Sequence, residues 1–267
     1  MKSSLQKGMF VTFQMLLFFC IFNLVAQPRV SIITSVYNGD SYIRDFLENM
    51  VQQTVFDQCE VLLINANSPG NEEPIIREFM EKYPNIVYVK LDVDPGVYGV
   101  WNLGVMIANG QYLTNANLDD LRSPDSIEIC MQELDAHPEI MLVYANYWVT
   151  RHDHDTWEHN HAQFQVSAGE FKKECMNLCL PGPQPMWRKS MHDLCGYFDT
   201  TYLYSGDWEL WNRAAQAGAQ FKHINHICGI YYENPQGLST NQNPEKKARR
   251  DQENDRVIAQ YRTMWVW

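Results

Sequence analysis

The chain is best interpreted from residues 110–125, which read Gly110-Gln111-Tyr112-Leu113-Thr114-Asn115-Ala116-Asn117-Leu118-Asp119-Asp120-Leu121-Arg122-Ser123-Pro124-Asp125. Strand-favouring residues open the stretch, two adjacent acids follow, and Pro124 can begin the next helix. Neighbouring carboxylates raise each other's pKa, a cost that a bound Mg²⁺ or Mn²⁺ would offset. An Asp that caps the next helix would explain the acids equally well. The stretch alone therefore leaves a metal site and a helix cap as alternatives.

Strand-like and helix-like segments alternate around this stretch. Runs of β-branched residues are typical of buried strands, and apolar residues spaced three or four apart are typical of helices. Strands and helices are predicted in turn over residues 30–37, 42–53, 60–64, 74–83, 86–91, 100–108, 111–114 and 124–136. A further strand is predicted over 141–150 and a charged helix over 244–262. The alternation predicts βαβ units, a central, mostly parallel sheet and so an α/β fold.

Three of the predicted strands end in polar residues. These are Tyr37-Asn38, Asn65–Ser68 and Asn117–Asp120. The carboxyl ends of parallel strands lie at one edge of a sheet, which is where open α/β sheets bind ligands. One ligand could therefore touch all three segments, and this convergence favours a binding site there.

Length and composition set outer limits. The chain has 267 residues, of which 45% are apolar and 20% charged, enough for one large domain. A net charge of −11 argues against a surface for nucleic-acid phosphates. Residues 9–26 are mostly apolar and follow Lys2 and Lys7, a pattern typical of a signal peptide or signal anchor, with a buried first helix as the alternative. The pattern predicts an N-terminal apolar helix and a protein that is membrane-associated or exported. It does not indicate on which side of the membrane the protein would lie.

Cysteines and histidines leave two further alternatives. Outside the apolar run six cysteines remain, which could form disulfides in an exported protein or stay buried as free thiols. The segment 152–161 interleaves histidines with acids. A polar hairpin or loop explains this alternation better than a metal site does.

Taken together, the motifs resemble family 2 glycosyltransferases of the GT-A fold, over residues 28–240. The order and spacing of the motifs carry the resemblance, which rests on Val30–Asn38, Gln53-Thr54, Glu60–Ser68, Gly99–Asn102 with Gly104, Ala108 and Gly110, Asn117–Asp120 with Pro124, and Gly206–Arg213. It implies a GT-A (Rossmann-like) sandwich. It also implies an enzyme whose donor substrate is a nucleoside-diphosphate sugar.

The resemblance implies where the donor would bind. The residues assigned to the nucleotide sugar are Ser35, Tyr37, Asn38, Asn65, Asn67, Asn102 and Asn117. Asn65 and Ala66 stand where the family usually has a base-contacting Asp, and Asn117 replaces the first acid of the Asp-x-Asp motif. Asn117 can still hydrogen-bond a ribose hydroxyl. Asp119, with Asp120, would hold the divalent cation, Mn²⁺ or Mg²⁺, that bridges the diphosphate.

The resemblance also implies an acceptor site and a catalytic base. Gln184, Trp187 and Trp208 are assigned to the acceptor, although Trp187 in the core and Gln184 as a solvated turn residue explain the sequence equally well. Asp207 by itself resembles a helix N-cap. In the family the matching Asp follows a Glu, here Gly206, and acts as the general base of inverting enzymes.

The leading hypothesis is a metal-dependent, inverting glycosyltransferase of polysaccharide biosynthesis. It would transfer a hexose-type sugar to a hydroxyl of a saccharide or lipid-linked acceptor. A nucleotidyltransferase is disfavoured because no Gly-rich basic loop follows the first strand. A non-catalytic sugar- or nucleotide-binding relative is the alternative. The substitutions Asn65, Ala66, Asn117 and Gly206 favour it, and retention of Asp119, Asp120 and Asp207 opposes it. The predicted units are a signal peptide or anchor (1–26), the GT-A domain (27–243) and a C-terminal helix with its tail (244–267).

Overall fold

A computed structural model describes residues 27–265. The described chain is built around one nine-stranded sheet. Its strands are β1 (Val30–Val36), β2 (Cys59–Asn65), β3 (Ile86–Lys90), β4 (Tyr112–Asn115), β5 (Leu121–Arg122), β6 (Ile140–Thr150), β7 (Phe164–Val166), β8 (Met186–Arg188) and β9 (Gln220–Tyr232).

The strand order is β3-β2-β1-β4-β8-β6-β9-β5, with β7 paired to β6. The half formed by β3, β2, β1 and β4 is parallel, as right-handed βαβ units produce. β8 runs antiparallel to both β4 and β6 and so joins the two halves, while β6 and β9 are parallel. The α/β prediction is confirmed, and the sheet as a whole is mixed rather than mostly parallel.

Helices cover both faces of the sheet. They are α1 (Ile43–Val51), α2 (Glu73–Lys82), α3 (Val97–Ile107), α4 (Ser126–Ala136), α5 (Met191–Cys195), α6 (Gly206–Gln216) and α7 (Pro244–Tyr261). Side chains alternate along a strand, so β2 gives Val61 and Leu63 to the core under α1, α2 and α4. Leu62 and Ile64 enter the core under α3, α5, α6 and α7. The result is a three-layer sandwich.

The short strand β8 was not predicted. No strand is predicted near Trp187, which is assigned to the acceptor from the sequence. The structure instead places Trp187 in the middle of the sheet, opposite Leu113 of β4 and Leu142 of β6. Three residues carry too little alternation to be recognised as a strand.

The C-terminal helix α7 packs on the sandwich. Its Val257 and Tyr261 are buried in the same core as α6. The helix therefore contributes to the core of the domain predicted over residues 27–243, although the predicted boundaries place the helix in a separate unit.

The localisation prediction needs correction. Between residues 27 and 265 no helix is long and apolar enough to cross a membrane. The apolar helix predicted over residues 9–26 lies outside the described residues. The prediction of a membrane-associated or exported protein is therefore withdrawn.

The structure describes the six cysteines and the His/acid segment. All six cysteines of residues 27–265 are free thiols, and four of them are buried. Over the same residues no cluster of three or more His, Cys, Asp or Glu side chains is arranged to hold a metal ion. Residues 151–163 form a polar loop between β6 and β7.

Candidate active site

The loops that follow β1 and β2 are bonded to each other at the carboxyl edge of the parallel strands. The N–H of Asn38 donates to Oγ of Ser68, and the N–H of Ser68 donates to Oδ1 of Asn65, each at 2.8 Å. Beneath them the buried carboxylate of Glu72 accepts the N–H of Gly39 and the hydroxyl of Ser68, both at 2.7 Å. Glu72 was not predicted as part of the site, because an acid just before a helix is usually a solvated residue that stabilises the first turn. These bonds fix the two loops as one unit.

The residues predicted to bind the donor differ in their exposure. Tyr37 is 52% exposed at the end of β1, so its ring is free to stack on a planar ligand. Asn38 and Asn67 are exposed and left-handed (φ 52° and 56°), a conformation that Asn tolerates better than most residues. Ser35 is half-buried and Asn65 is buried. Four of the predicted residues therefore gather here around Tyr37, where they form the turns on either side of it.

Asn102 has a different environment. Its side chain accepts the N–H of Phe198 and donates to the carbonyl of the same residue, each at 2.9 Å. Both amide groups are thus engaged by the segment that leads towards α6. Asn102 ties α3 to that segment and is not retained as a donor ligand.

The acid pair after β4 is held from two sides. Asp120 is buried, with Oδ2 accepting Asn117 Nδ2 at 2.9 Å and Oδ1 accepting the N–H of Tyr232 at 3.0 Å. Asp119 accepts Asn234 Nδ2 on Oδ2 at 2.8 Å, and within residues 27–265 its Oδ1 has no hydrogen-bond donor. Asn234, which follows β9, was missed because it lies 115 residues from Asp119 in the sequence.

Burial shifts the pKa of both acids upward. For Asp120 burial, followed by the charge of Asp119, raises the pKa to about 8. Burial also raises the pKa of Asp119, and the hydrogen bond from Asn234 opposes this. The pair therefore carries less negative charge near neutral pH than two exposed carboxylates would.

The polar loop 151–163 lies against the acid pair. A small cavity beside Asp119 and Asp120 is lined on its other side by His152, His154 and Asp155. His154 is fixed by Asp45 of α1, with Nδ1 and Oδ2 2.8 Å apart. A larger cavity of about 660 Å³ lies near residues 27–29 and 188–193, at the start of β1 and thus at the opposite edge of the sheet.

Asp207 occupies the first turn of α6. Its Oδ1 accepts the hydroxyl of Tyr98 at 3.0 Å and the N–H of Trp208 at 2.8 Å, while Oδ2 receives no hydrogen bond from the described part of the chain. Burial raises the pKa of Asp207 above its ordinary value, and both hydrogen bonds lower it. A carboxylate with one fixed and one free oxygen is suited to accept a proton.

The chain segment before β8 lies between the surroundings of Asp120 and those of Asp207. At one end Gln184 donates to the carbonyl of Leu121, the residue after Asp120, at 2.9 Å. At the other end the carbonyl of Met176 accepts Nε1 of Trp208, the residue after Asp207, at 2.8 Å. Segment 176–184 therefore contacts the neighbours of both acids.

Two of the three residues assigned to the acceptor are buried structural contacts. Trp187 is 1% exposed, and its Nε1 donates to Nε2 of His192 at 3.0 Å. Trp208 is buried, donates to the carbonyl of Met176 at 2.8 Å and stacks on Trp265. Neither indole has a free face for a sugar, so these two assignments are corrected: the sequence does not show which aromatic rings the fold covers. Gln184 is half-buried, donates to the carbonyl of Leu121 at 2.9 Å and stays a predicted acceptor contact.

The residues present fit a divalent cation only in part. Asp119 offers a free carboxylate oxygen, whereas both oxygens of Asp120 are taken by protein donors. Mg²⁺ and Mn²⁺ need few protein ligands when substrate phosphates and water complete the shell. Asp119 is therefore the better placed candidate ligand, whereas each oxygen of Asp120 already accepts one hydrogen bond.

Comparison with curated proteins finds relatives that synthesise polymers. The minor teichoic acid biosynthesis protein GgaB of Bacillus subtilis is 35% identical over 117 residues, which cover 43% of this chain and 13% of GgaB. Chondroitin synthase of Pasteurella multocida is 25% identical over 202 residues, 75% of this chain and 20% of the synthase. The chain thus spans only a small part of either relative.

Solved structures with the same fold include two bound to nucleotides. TarS 1–349 of S. aureus in complex with UDP has a TM-score of 0.64 at 16% identity, over 87% of this chain and 65% of that one. The mannosyltransferase PcManGT of Pyrobaculum calidifontis, in complex with GDP-Man and Mn²⁺, has a TM-score of 0.64 at 17% identity, over 88% and 64%. The GT-A fold inferred from the motifs is confirmed.

The sequence profile of one protein family matches the part of the chain that contains the strands and loops of the site. It is described as glycosyl transferase family 2 and matches residues 31–206, from the second residue of β1 to the first of α6. The resemblance inferred from the motifs is thereby confirmed. The chain belongs to glycosyl transferase family 2.

Proposed function

We propose that the chain is an inverting glycosyltransferase that moves a sugar from a nucleoside-diphosphate sugar to a hydroxyl of a saccharide acceptor. Family membership supports sugar transfer. The observation that carries the mechanism is the carboxylate of Asp207, with Oδ1 held by two donors and Oδ2 free among residues 27–265. Inverting transfer needs one such carboxylate to take the acceptor's proton as its oxygen attacks the anomeric carbon.

The donor would bind across the carboxyl ends of β1, β2 and β4. Tyr37 would stack on the nucleobase, on the unit formed by the Asn38 and Ser68 loops. Asn117 uses its amide N–H₂ on Asp120, which leaves its carbonyl oxygen for a ribose hydroxyl. The nucleotide complexes of two proteins with the same fold support this placement.

A divalent cation would be held by Asp119 together with the diphosphate. Mn²⁺ in the PcManGT complex supports the choice of metal. When bound, the cation would neutralise charge on the diphosphate leaving group. The fixed position of Asp119, braced by Asn234, supports a role in locating the diphosphate near the acceptor.

The raised pKa of Asp207 supports its role as base. A base is most effective when its pKa approaches the working pH, and burial moves Asp207 in that direction. Asp207 must be ionised to act, so kcat/KM should fall with decreasing pH along a limb that lies above the ordinary Asp pKa of about 3.9.

Calorimetric titration of the full chain tests the donor site. A panel of nucleoside diphosphates and their sugars is titrated with and without Mn²⁺, against wild type, Asp119→Asn and Asp207→Asn. We expect metal-dependent binding of one nucleotide that Asp119→Asn weakens at least tenfold and Asp207→Asn leaves intact. If the protein is folded and no nucleotide binds, the result would favour the alternative hypothesis of a non-catalytic binding protein.

Product analysis tests the reaction. With the donor so identified, a panel of saccharides is offered as acceptors and the product is analysed by NMR. We expect inversion at the anomeric carbon and a loss of kcat of at least a thousandfold in Asp207→Asn, with donor affinity unchanged. Retention of configuration, or near-normal turnover by Asp207→Asn, contradicts the proposed mechanism.

A further inference from the structure

Tyr98 is fixed in the first turn of α3 next to the candidate base. Its side chain is 4% exposed, and its hydroxyl donates to Oδ1 of Asp207 at 3.0 Å. The ring stacks on Phe198 with centroids 5.8 Å apart and meets Trp101 edge-on at 5.5 Å. The ring therefore has little freedom to move away from Asp207.

The ring of Tyr98 also explains the glycine that precedes Asp207. A Cβ atom at position 206 would lie 2.6 Å from Cε2 and 2.7 Å from Cδ2 of Tyr98, closer than real Cβ contacts allow. Position 206 is where the family resemblance leads one to expect Glu. In this chain the ring of Tyr98 takes the space beside the backbone of residue 206, and its hydroxyl reaches the next residue.

We propose that Tyr98 is a positioning residue that orients Asp207 and stabilises its ionised form. The glycine at position 206 leaves the space that the Tyr98 ring occupies. The inference rests on the proposed function of Asp207 as the catalytic base. With Oδ1 held by Tyr98 and by the N–H of Trp208, Oδ2 is the oxygen presented to the acceptor hydroxyl.

The neighbours of Asp207 leave Tyr98 as its principal side-chain partner. The titratable groups that face it are Tyr98 from α3 and Cys179 from the loop before β8. Burial, and then the charge of Asp207, raises the pKa of Tyr98, so its hydroxyl stays protonated. Cys179 is exposed to solvent. The nearest acid of α7, Glu253, is bonded to backbone N–H groups of residues 203–205. Loss of the Tyr98 hydroxyl should therefore raise the pKa of Asp207.

The test compares Tyr98→Phe with a matched control, Tyr202→Phe. Phe keeps the ring beside Gly206 and removes only the hydroxyl. Tyr202 is also buried, but its hydroxyl has no partner among the described residues. We expect Tyr98→Phe to move the acid limb of kcat/KM up by about 1 pH unit, with donor affinity unchanged. Tyr202→Phe should leave the limb in place.

A second readout needs no turnover. In full-length protein labelled with ¹³C at Asp carboxyls, the Asp207 signal, assigned from Asp207→Asn, should titrate about 1 unit higher in Tyr98→Phe. An unchanged titration and an unchanged acid limb would overturn the proposal. A shifted titration in a protein that transfers no sugar would support the Tyr98 bond and count against the proposed function alone.

Discussion

The three carboxylates in the site do not all keep the same number of free oxygens. Asp120 has both oxygens bonded by protein donors, whereas Asp119 and Asp207 each keep one oxygen that the described residues leave free. The sequence does not reveal this difference, since the donors Asn234 and Tyr98 lie more than one hundred residues from the acids they bind. Identity and spacing therefore select these acids as candidates, and only packing shows how their surroundings differ.

At position 206 we expect even the smallest added side chain to be destabilising. Gly206→Ala should lower the free energy of unfolding by about 2 kcal/mol, because its Cβ would overlap the Tyr98 ring. In a Tyr98→Leu background the same change should cost less, since the ring is gone. Thermal and denaturant unfolding of the four proteins measures this coupling. Equal costs in both backgrounds would show that the ring is not the obstacle.

At Asp119 we expect the hydrogen bond from Asn234 to support cation binding. The bond lowers the pKa of Asp119, and a cation requires the ionised form. Asn234→Ala should therefore weaken Mn²⁺-dependent nucleotide binding about threefold to tenfold, and more at pH 6 than at pH 8. The exposed neighbour Gln236 provides the control, because Gln236→Ala should leave the affinity unchanged in calorimetry. A pH-independent loss would mean that Asn234 acts through loop structure alone.

Helix α7 braces the segment that carries Asp207. The buried carboxylate of Glu253 accepts the N–H groups of Leu203 at 2.9 Å, Tyr204 at 2.7 Å and Ser205 at 3.2 Å, immediately before α6. On the other side, Arg250 donates to the carbonyls of Leu238 and Asn241, in the loop that contains Asn234. One helix thus supports the segments on both sides of the site.

We expect Glu253→Ala to cost about 3 kcal/mol of unfolding free energy, because it leaves buried N–H donors without an acceptor. The reduced order of the Asp207 segment should lower kcat more than it changes donor affinity. Unfolding curves and kinetics measure both effects. The exposed Asp255 on the same helix serves as control, and Asp255→Ala should stay within about 0.5 kcal/mol of wild type. A Glu253→Ala protein as stable as this control would refute the bracing role.

The elements with strong periodicity up to residue 150 were predicted, whereas the shortest strands and the long strand β9 were not. The helix patterns over 42–53, 74–83, 100–108 and 124–136 correspond to α1, α2, α3 and α4, with ends displaced by up to three residues. β5, β7 and β8 are two or three residues long and show no usable pattern. The candidate site could be predicted at one edge of the sheet because parallel strands end there. The acceptor residues could not be located, because burial of Trp187 and Trp208 depends on β8 and on the C-terminal segment.

At the scale of the whole molecule, charge and architecture bear on how the donor binds. The chain carries a net charge of −11, and a nucleotide diphosphate is also an anion. Family membership predicts such a donor, so local compensation must come from backbone N–H groups, helix ends or a cation. A cation is one such source, and this argument for the proposed metal dependence is independent of the ligand geometry at Asp119.

We expect removal of residues 244–267 to prevent stable folding. Val257 and Tyr261 fill the core beneath α6, and Tyr261 also donates to Glu209 at 2.8 Å. Deletion would expose that core and remove Glu253 from the Asp207 segment. The measurement is the thermal unfolding and soluble yield of residues 1–243 beside the full chain. Cooperative unfolding of residues 1–243 at the wild-type temperature would show that the helix is a separate appendage, as the sequence-based boundaries propose.

The pairing of Tyr98 with Gly206 has a consequence for evolution. Because the ring and a Cβ at 206 cannot occupy the same space, the two positions are expected to change together among relatives of this chain. A descendant that regains Glu at 206 would have to lose the aromatic ring at 98 in the same lineage, and each single step would pass through a less stable intermediate. Such a barrier would preserve the pair over long divergence, so the pair should mark a distinct subgroup of family 2 sequences.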